Sequence, residues 1–286
     1  MPLIEKHGAD SLRYWAASGR PGVDTAADEN TMRVGRRLAI KILNASKFAL
    51  SIASGRLPAD PEHQVTLTAL DAALLEQLKK TVAMATAALE EYDHTRALEA
   101  VESFFWSFCD DYLELVKLRA YGETVGNMSF TFAETMSARV TLATAVRVFL
   151  RLFAPFLPFV TEEVWSWFQS GSIHRTEWPS EHSVFIEAQH LFAELAPGSV
   201  LLTGLAEGFD PEAPYLVLSR VRRAKTEAKT SMKTPVAKLR VTGDPEIISQ
   251  IGQARADLLC ATGATEIELV ADPAQEEPLV EVELAL

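Results

Sequence analysis

The chain has 286 residues, long enough for more than one domain, and 48% of them are hydrophobic, enough for a sizeable core. No run of about 18 apolar residues occurs, which excludes a helical membrane span. The opening Met1-Pro2-Leu3-Ile4-Glu5-Lys6 has no apolar signal region, so a cytoplasmic protein is expected. The formal net charge of −12 argues against indiscriminate nucleic-acid binding.

Residues 2–19 read as short helices punctuated by Gly8, and 20–25 as a turn. Asp28 or Asn30 can cap the next helix, which should run to about Ser54-Gly55; Val34, Leu38, Ile42, Ala45 and Ala49 give it one apolar face. Pro58 and Pro61 break the chain. Helical periodicity returns over about 68–91, 94–121 and 132–153. Pro155 and Pro158 end the last of these, and Thr161-Glu162-Glu163 starts a shorter helix carrying Trp165 and Trp167. Long amphipathic helices on short loops predict an antiparallel bundle. The segment 180–210 gives no clear pattern, and Gly198, Gly204 and Gly208 suggest loops. A basic helix follows at about 214–229, then a strand at 237–241, a helix at 245–259 and strands at 266–270 and 279–284. The last two strands alternate apolar and acidic residues, so one face should be buried and the other wet. The expected fold is mainly α: an antiparallel helical bundle followed by a small α+β module.

The charge is unevenly spread. Residues 1–56 hold nine Lys/Arg against five Asp/Glu, and 216–245 hold eight against two, while the remainder holds ten against thirty-two. Two short basic segments in an acidic body fit local RNA contact, and they also fit solvated charged faces.

Catalytic patterns are missing from the sequence. It contains no phosphate loop, no nucleophile elbow and no His-x-x-x-His pair. His174 and His182 lie in loop-like sequence. Cys109 and Cys260 suit no metal spacing and are expected as reduced structural thiols. Asp110, Asp111 and Glu114 share a helix, where Lys117 or Arg119 is the expected partner. No cofactor or metal is expected in this stretch.

The first long helix is the strongest candidate site. Arg33, Arg37, Lys41 and Asn44 lie on one face by helical spacing, and Phe48 extends the stripe by a turn. Unpaired RNA is bound by such a set: cations for phosphates, an amide for base edges and a ring for stacking. The competing reading is a solvated basic face with Phe48 in the core. In the second basic segment, Arg222, Arg223 and Lys225, with Arg220 and Lys229, form a further candidate contact.

These residues also carry a family resemblance. Ile4-Glu5-Lys6-His7-Gly8-Ala9-Asp10-Ser11-Leu12-Arg13-Tyr14-Trp15 is similar to the segment following the KMSKS loop of class I aminoacyl-tRNA synthetases. Pro21-Gly22-Val23-Asp24 with Lys41-Ile42-Leu43-Asn44-Ala45-Ser46-Lys47-Phe48 resembles the valyl branch, with Leu43 where that branch has Trp. Phe108-Cys109-Asp110-Asp111-Tyr112-Leu113-Glu114 resembles the bundle's signature, with Asp111 in place of another Trp. Leu152 to Trp165 and Trp178-Pro179 complete the pattern. The resemblance spans residues 1–180 and, more loosely, 214–241.

The resemblance implies a stem-contact region at 1–30, an anticodon-binding bundle at 31–180 and a C-terminal module at 181–286. It implies valine tRNA and the catalytic domain of the same enzyme as partners, and neither DNA nor membrane. It also implies ATP and Mg in the full-length enzyme, whose HIGH-like and KMSKS loops have no counterpart here. Lys229 to Thr234 looks superficially like the latter but stands in the wrong place, so the stretch by itself should catalyse nothing. A free-standing tRNA-binding protein and a helical protein-interaction scaffold remain open alternatives.

Overall fold

A computed structural model describes residues 2–20, 22–53, 64–122, 129–202, 208–275 and 277–285. Pro58, Pro61, Gly204 and the expected helix end at Ser54-Gly55 lie outside them. The chain packs as two compact units, each assembled from separate stretches: Met1–Pro61, Leu75–Trp106 and Arg139–Gly198 in one, Glu62–Leu74, Ser107–Ala138 and Ser199–Leu286 in the other.

The first unit opens with α1 (Pro2–His7) and α2 (Ala9–Ala17), separated by Gly8 at φ 88°. Helix α3 (Glu29–Ala53) is capped by Asp28, whose carboxylate accepts from the backbone N–H of Asn30 and Thr31. Tyr14 of α2 lies against Gly35 of α3 so closely that a Cβ there would stand 2.6 Å from the tyrosine Cβ; only glycine allows this approach. Residues 75–90 of α4 (Ala69–Glu90), most of α5 (His94–Ser107) and residues 139–153 of α7 (Phe132–Phe153) complete the core. Its centre is aromatic: the Phe105 ring meets Phe149 at 5.2 Å and Phe153 at 5.3 Å, both edge-on.

Helix α8 begins at Pro158 rather than Thr161 and runs Pro158–Trp165. Its first-turn donors are satisfied from far along the chain: the Asp10 carboxylate accepts from the N–H of Phe159 (3.1 Å) and Val160 (2.8 Å). Arg13 donates to the Pro155 carbonyl at 2.8 Å. Glu162 accepts from the Ser172 hydroxyl and the Ile173 N–H. Trp165 is core and Trp167 is exposed. Residues 181–195, in a stretch where only short elements between loops were expected, form the 15-residue α9 (Glu181–Leu195), opened by a reciprocal cap between Ser180 and Ser183.

In the second unit the expected helix at 94–121 continues as a π-helical turn (Phe108–Tyr112) and α6 (Leu113–Tyr121). Strands β1 (Gln64–Thr66) and β2 (Val200–Leu202) pair in parallel. Helix α10 (Glu212–Glu227) precedes a sheet ordered β4-β3-β5, made of β3 (Val236–Gly243), β4 (Ile267–Ala271) and β5 (Leu279–Leu284). β3 and β4 run parallel, which requires a crossover between them, here a helical one. The crossover helix breaks at Ala254 into α11 (Pro245–Gln253) and α12 (Arg255–Thr262). Alternation in β5 is as expected, but its apolar residues Val280, Val282 and Leu284 are only half-buried.

This unit holds a buried ion network. The Arg119 guanidinium makes two bonds to Asp71 (2.7 and 2.9 Å), donates from Nε to both oxygens of Asp257 (2.9 and 3.1 Å) and makes one bond to the Glu134 carbonyl (3.0 Å). Asp71 also accepts from the hydroxyls of Tyr112 and Ser137. Arg119 is therefore not the partner of the 110–114 acids. Glu114 pairs with Lys117 at 3.8 Å, and Asp111 faces Arg222 at 3.9 Å. Cys109 and Cys260 are buried free thiols.

Candidate nucleic-acid interface

Helix α3 carries its apolar residues at 32, 38, 42, 45, 49 and 52, all buried, which turns the opposite face to solvent. Arg33, Arg36, Arg37, Asn44 and Lys47 are exposed on that face. Arg33 donates to the Asn30 side chain (2.9 Å) and Arg36 to the Lys6 carbonyl (3.1 Å). Both partners are neutral oxygens. Among the described residues Arg33, Arg36, Arg37 and Lys47 form no ion pair with a carboxylate. Their charge is available to an external anion. Ile40, half exposed, interrupts the stripe next to Leu43 and Phe159.

Lys41 and Phe48 are half-buried, at the border of this face. The Lys41 ammonium stands 5.8 Å from the ring centre of Trp106, within cation–π range. Trp106 in turn donates its indole N–H to Glu102 (3.1 Å), whose second oxygen accepts from the Tyr14 hydroxyl (2.7 Å). Burial, and then the bond to Glu102, push the Tyr14 phenol above its usual range, which keeps it a donor. The sequence reading missed Trp106; its signal was an aromatic beside an acid one turn earlier.

The second basic segment is placed differently. Lys225 was expected at the surface, and the structure corrects this: it is 2% exposed, with its ammonium on the carbonyls of Met232 (3.0 Å) and Thr262 (2.7 Å). Burial pulls its pKa below that of an ordinary lysine. A buried ammonium spent on two carbonyls stitches α10 to the following loop and to α12, and it cannot reach a phosphate. Arg222 donates to the Asp110 carbonyl and faces Asp111. Arg223 is exposed but paired with Glu227 at 2.7 Å. Of the basic residues there, Arg220, Lys229 and Lys233 are exposed and form no ion pair among the described residues.

An anion-ready helix face with an amide and bordering aromatics is one half of the comparison; relatives supply the other. Residues 71–240 match the family model described as the anticodon-binding domain of tRNA ligase.

The chain belongs to that family. The match begins after α3, but α3 shares a compact unit with residues 75–106 and 139–198, all of which the match covers. The anticodon-binding chain is similar along its full length to valine–tRNA ligases. It is 48% identical to that of Thermobifida fusca strain YX over 100% of this chain and 29% of the relative. It is 46% identical to that of Salinispora tropica over 94% and 30%, and 42% identical to that of Bifidobacterium longum strain DJO10A over 99% and 31%. It thus spans about three tenths of the length of these relatives. The similarity includes the C-terminal α+β residues, beyond the range of the motifs.

Proposed function

We propose that this chain is the tRNA-reading part of a valine–tRNA ligase and that the solvent face of α3 contacts the anticodon loop of valine tRNA. The observation that carries the reading is the set Arg33, Arg36, Arg37 and Lys47, exposed and unpaired with acid among the described residues of a chain with net charge −12. An acidic body repels RNA in general and leaves this face as the place where phosphates are welcome. Asn44 supplies a base-reading amide there, and Phe48 an aromatic edge.

On this reading residues 1–30 lie beside the tRNA stem, and residues 31–180 and 181–286 divide anticodon contact from a C-terminal module. α10 offers Arg222 and Arg223 as a lesser contact. The longer protein would be cytoplasmic and would join valine to tRNA using ATP and Mg, held by its catalytic domain. Among the described residues no group of three His, Cys, Asp or Glu is placed to hold a metal ion. No helix among them is long and apolar enough to cross a membrane.

The test is fluorescence anisotropy of the 286-residue chain with two RNA hairpins of equal length, one bearing the valine anticodon loop and one an unrelated loop. Tighter binding of the valine loop, by tenfold or so, is expected. Equal affinity for both would end the anticodon reading, and no binding to either would favour a protein-interaction scaffold.

A further inference from the structure

We infer that the turn after α10, residues 229–234, is a second phosphate-binding site for the same tRNA, with Lys229 and Lys233 as its cations. The inference rests on the tRNA reading above and extends it to the second unit. Helix α10 ends in a Schellman arrangement: the N–H of Thr230 donates to the Lys225 carbonyl (3.0 Å) and the N–H of Lys229 to the Thr226 carbonyl (3.0 Å). That ending needs a left-handed residue at Lys229, whose φ is 53°. Glycine takes this conformation freely, whereas a side chain crowds the carbonyl that follows. Helices α6 and α12 close in the same conformation with Gly122 (φ 71°) and Gly263 (φ 69°). Among the described residues one other non-glycine has a positive φ, Tyr92 at 60°; its sequence neighbours Glu90, Glu91 and Asp93 repel an anion. A lysine at such a position is worse for the fold than glycine, and what it adds is charge.

The turn that carries this charge is held. The buried Lys225 ammonium donates to the Met232 carbonyl (3.0 Å) and, on its other side, to the Thr262 carbonyl of α12 (2.7 Å). The Thr230 hydroxyl donates to the Lys225 carbonyl (3.2 Å), and the N–H of Thr234 to the Ser231 carbonyl (2.9 Å). The Ser231 hydroxyl accepts from the N–H of Lys233 (3.2 Å). Lys229 and Lys233 are both exposed, and neither forms an ion pair among the described residues. Glu227, the acid nearest to them in sequence, is taken by Arg223 at 2.7 Å. Two ammonium groups on one short, pre-formed turn suit phosphates of a nucleic-acid backbone and leave little backbone to order on contact. Such a contact carries no sequence information, so it adds affinity without adding preference for the valine anticodon.

The experiment measures anisotropy of the whole 286-residue chain with valine tRNA at four salt concentrations, and thermal unfolding alongside. Lys229→Gly with Lys233→Gln should bind roughly tenfold more weakly and lose about 1.4 of the log-affinity against log-salt slope, from roughly 0.7 for each of two phosphates. Lys229→Gly alone should lose about half of that, while its unfolding midpoint rises by about 2 °C as the strained side chain goes. Lys229→Arg should keep the wild-type slope. An unchanged slope in the double variant overturns the inference. So does a fall in the midpoint of Lys229→Gly, which would make the lysine a support of the fold. An unrelated tRNA should lose affinity by the same factor, and a loss confined to valine tRNA would overturn a backbone contact. A wild-type chain that prefers the valine-loop hairpin, with lysine variants that match it in slope, sinks this inference alone. A wild-type chain that binds no tRNA sinks the reading above and this with it.

Discussion

Two aspartates share one arginine at the heart of the second unit, and their environments set them apart. Asp71 is fully buried; burial would lift its carboxyl, but the charge and bonds of Arg119, with the hydroxyls of Ser137 and Tyr112, bring it below the usual range. Asp257 is raised: burial dominates, and the charge of Arg119, with its one Nε–H shared between the two carboxylate oxygens, compensates only in part. The site holds two carboxylates and one guanidinium, so one negative charge is in excess. Asp71→Asn should therefore cost about 3–5 kcal/mol in urea unfolding at pH 7, because it leaves Arg119 without its main partner. Asp257→Asn removes the surplus charge and should cost no more than about 1–2 kcal/mol. The pH signs are opposite. The contribution of Asp71 is complete above the ordinary carboxyl pKa of about 3.9 and is lost as pH falls through its lower folded value. Between the ordinary value and the raised folded value of Asp257, the folded state binds the extra proton, so acidification through that window stabilises the wild type. Asp257→Asn lacks this gain, and its stability relative to wild type should drop as pH is lowered from 7 toward 4. A constant difference across that range would contradict the assignment. None of this was legible in the sequence. The acids before Arg119 on the same helical stretch, Glu114 five positions back and Asp111 and Asp110 beyond it, are its nearest neighbours in sequence; its real partners lie 48 and 138 residues away. Lys225 is the same lesson reversed, a lysine in a basic run that is consumed by two carbonyls.

At the scale of elements, periodicity located the long helices because each buries a continuous stripe, and amphipathic spacing records that directly. It failed where no stripe distinguishes the alternatives. The three-residue strands β1 and β2 are too short for alternation to register. The π-helical turn keeps helical spacing on both sides and merely shifts its phase. Helix α9 was within reach: Val184, Ala188, Leu191 and Leu195 follow helical spacing and are buried, but Ser183 takes the place where a capping Glu or Gln is usually sought. The quoted motifs turn out to be mechanical. Asp10, from the first motif, caps α8 from the last, while Glu162 pins Ser172 and Ile173. Asp10→Ala should cost about 1–2 kcal/mol by thermal or urea unfolding, the range of a lost N-cap, and Asp10→Asn less, since one acceptor remains. A cost near zero for Asp10→Ala would mean that water replaces the cap, and the motif would need another explanation. Asp111, where the family signature has Trp, faces Arg222 and receives the Ser107 hydroxyl, so the departure is matched by a local partner.

For the molecule as a whole, the sequence offered two basic segments of similar density, and only the fold separates them. In α3 four cations stand on the exposed face and form no ion pair with a carboxylate among the described residues. In and after α10 five of the eight cations are committed, Arg222 to Asp111, Arg223 to Glu227, Lys238 and Arg240 to Glu268, and Lys225 to carbonyls, which leaves Arg220, Lys229 and Lys233 without an ion pair among the described residues. A guanidinium already neutralised by a carboxylate has little counterion to release when RNA binds, whereas an unpaired one releases nearly a full ion. Neutralising equal charge in the two places should then have unequal effects. Arg33→Gln, Arg37→Gln and Lys47→Gln together should flatten the log-affinity against log-salt slope by about two, from roughly 0.7 per phosphate on a single strand. Arg222→Gln with Arg223→Gln should change it by less than about half a unit, because arginines already facing Asp111 and Glu227 contribute little counterion release in the first place. Anisotropy titrations of valine tRNA at four salt concentrations measure both. Equal flattening per charge removed would show that RNA outcompetes the internal acids, and α10 would then rank with α3 as a binding surface.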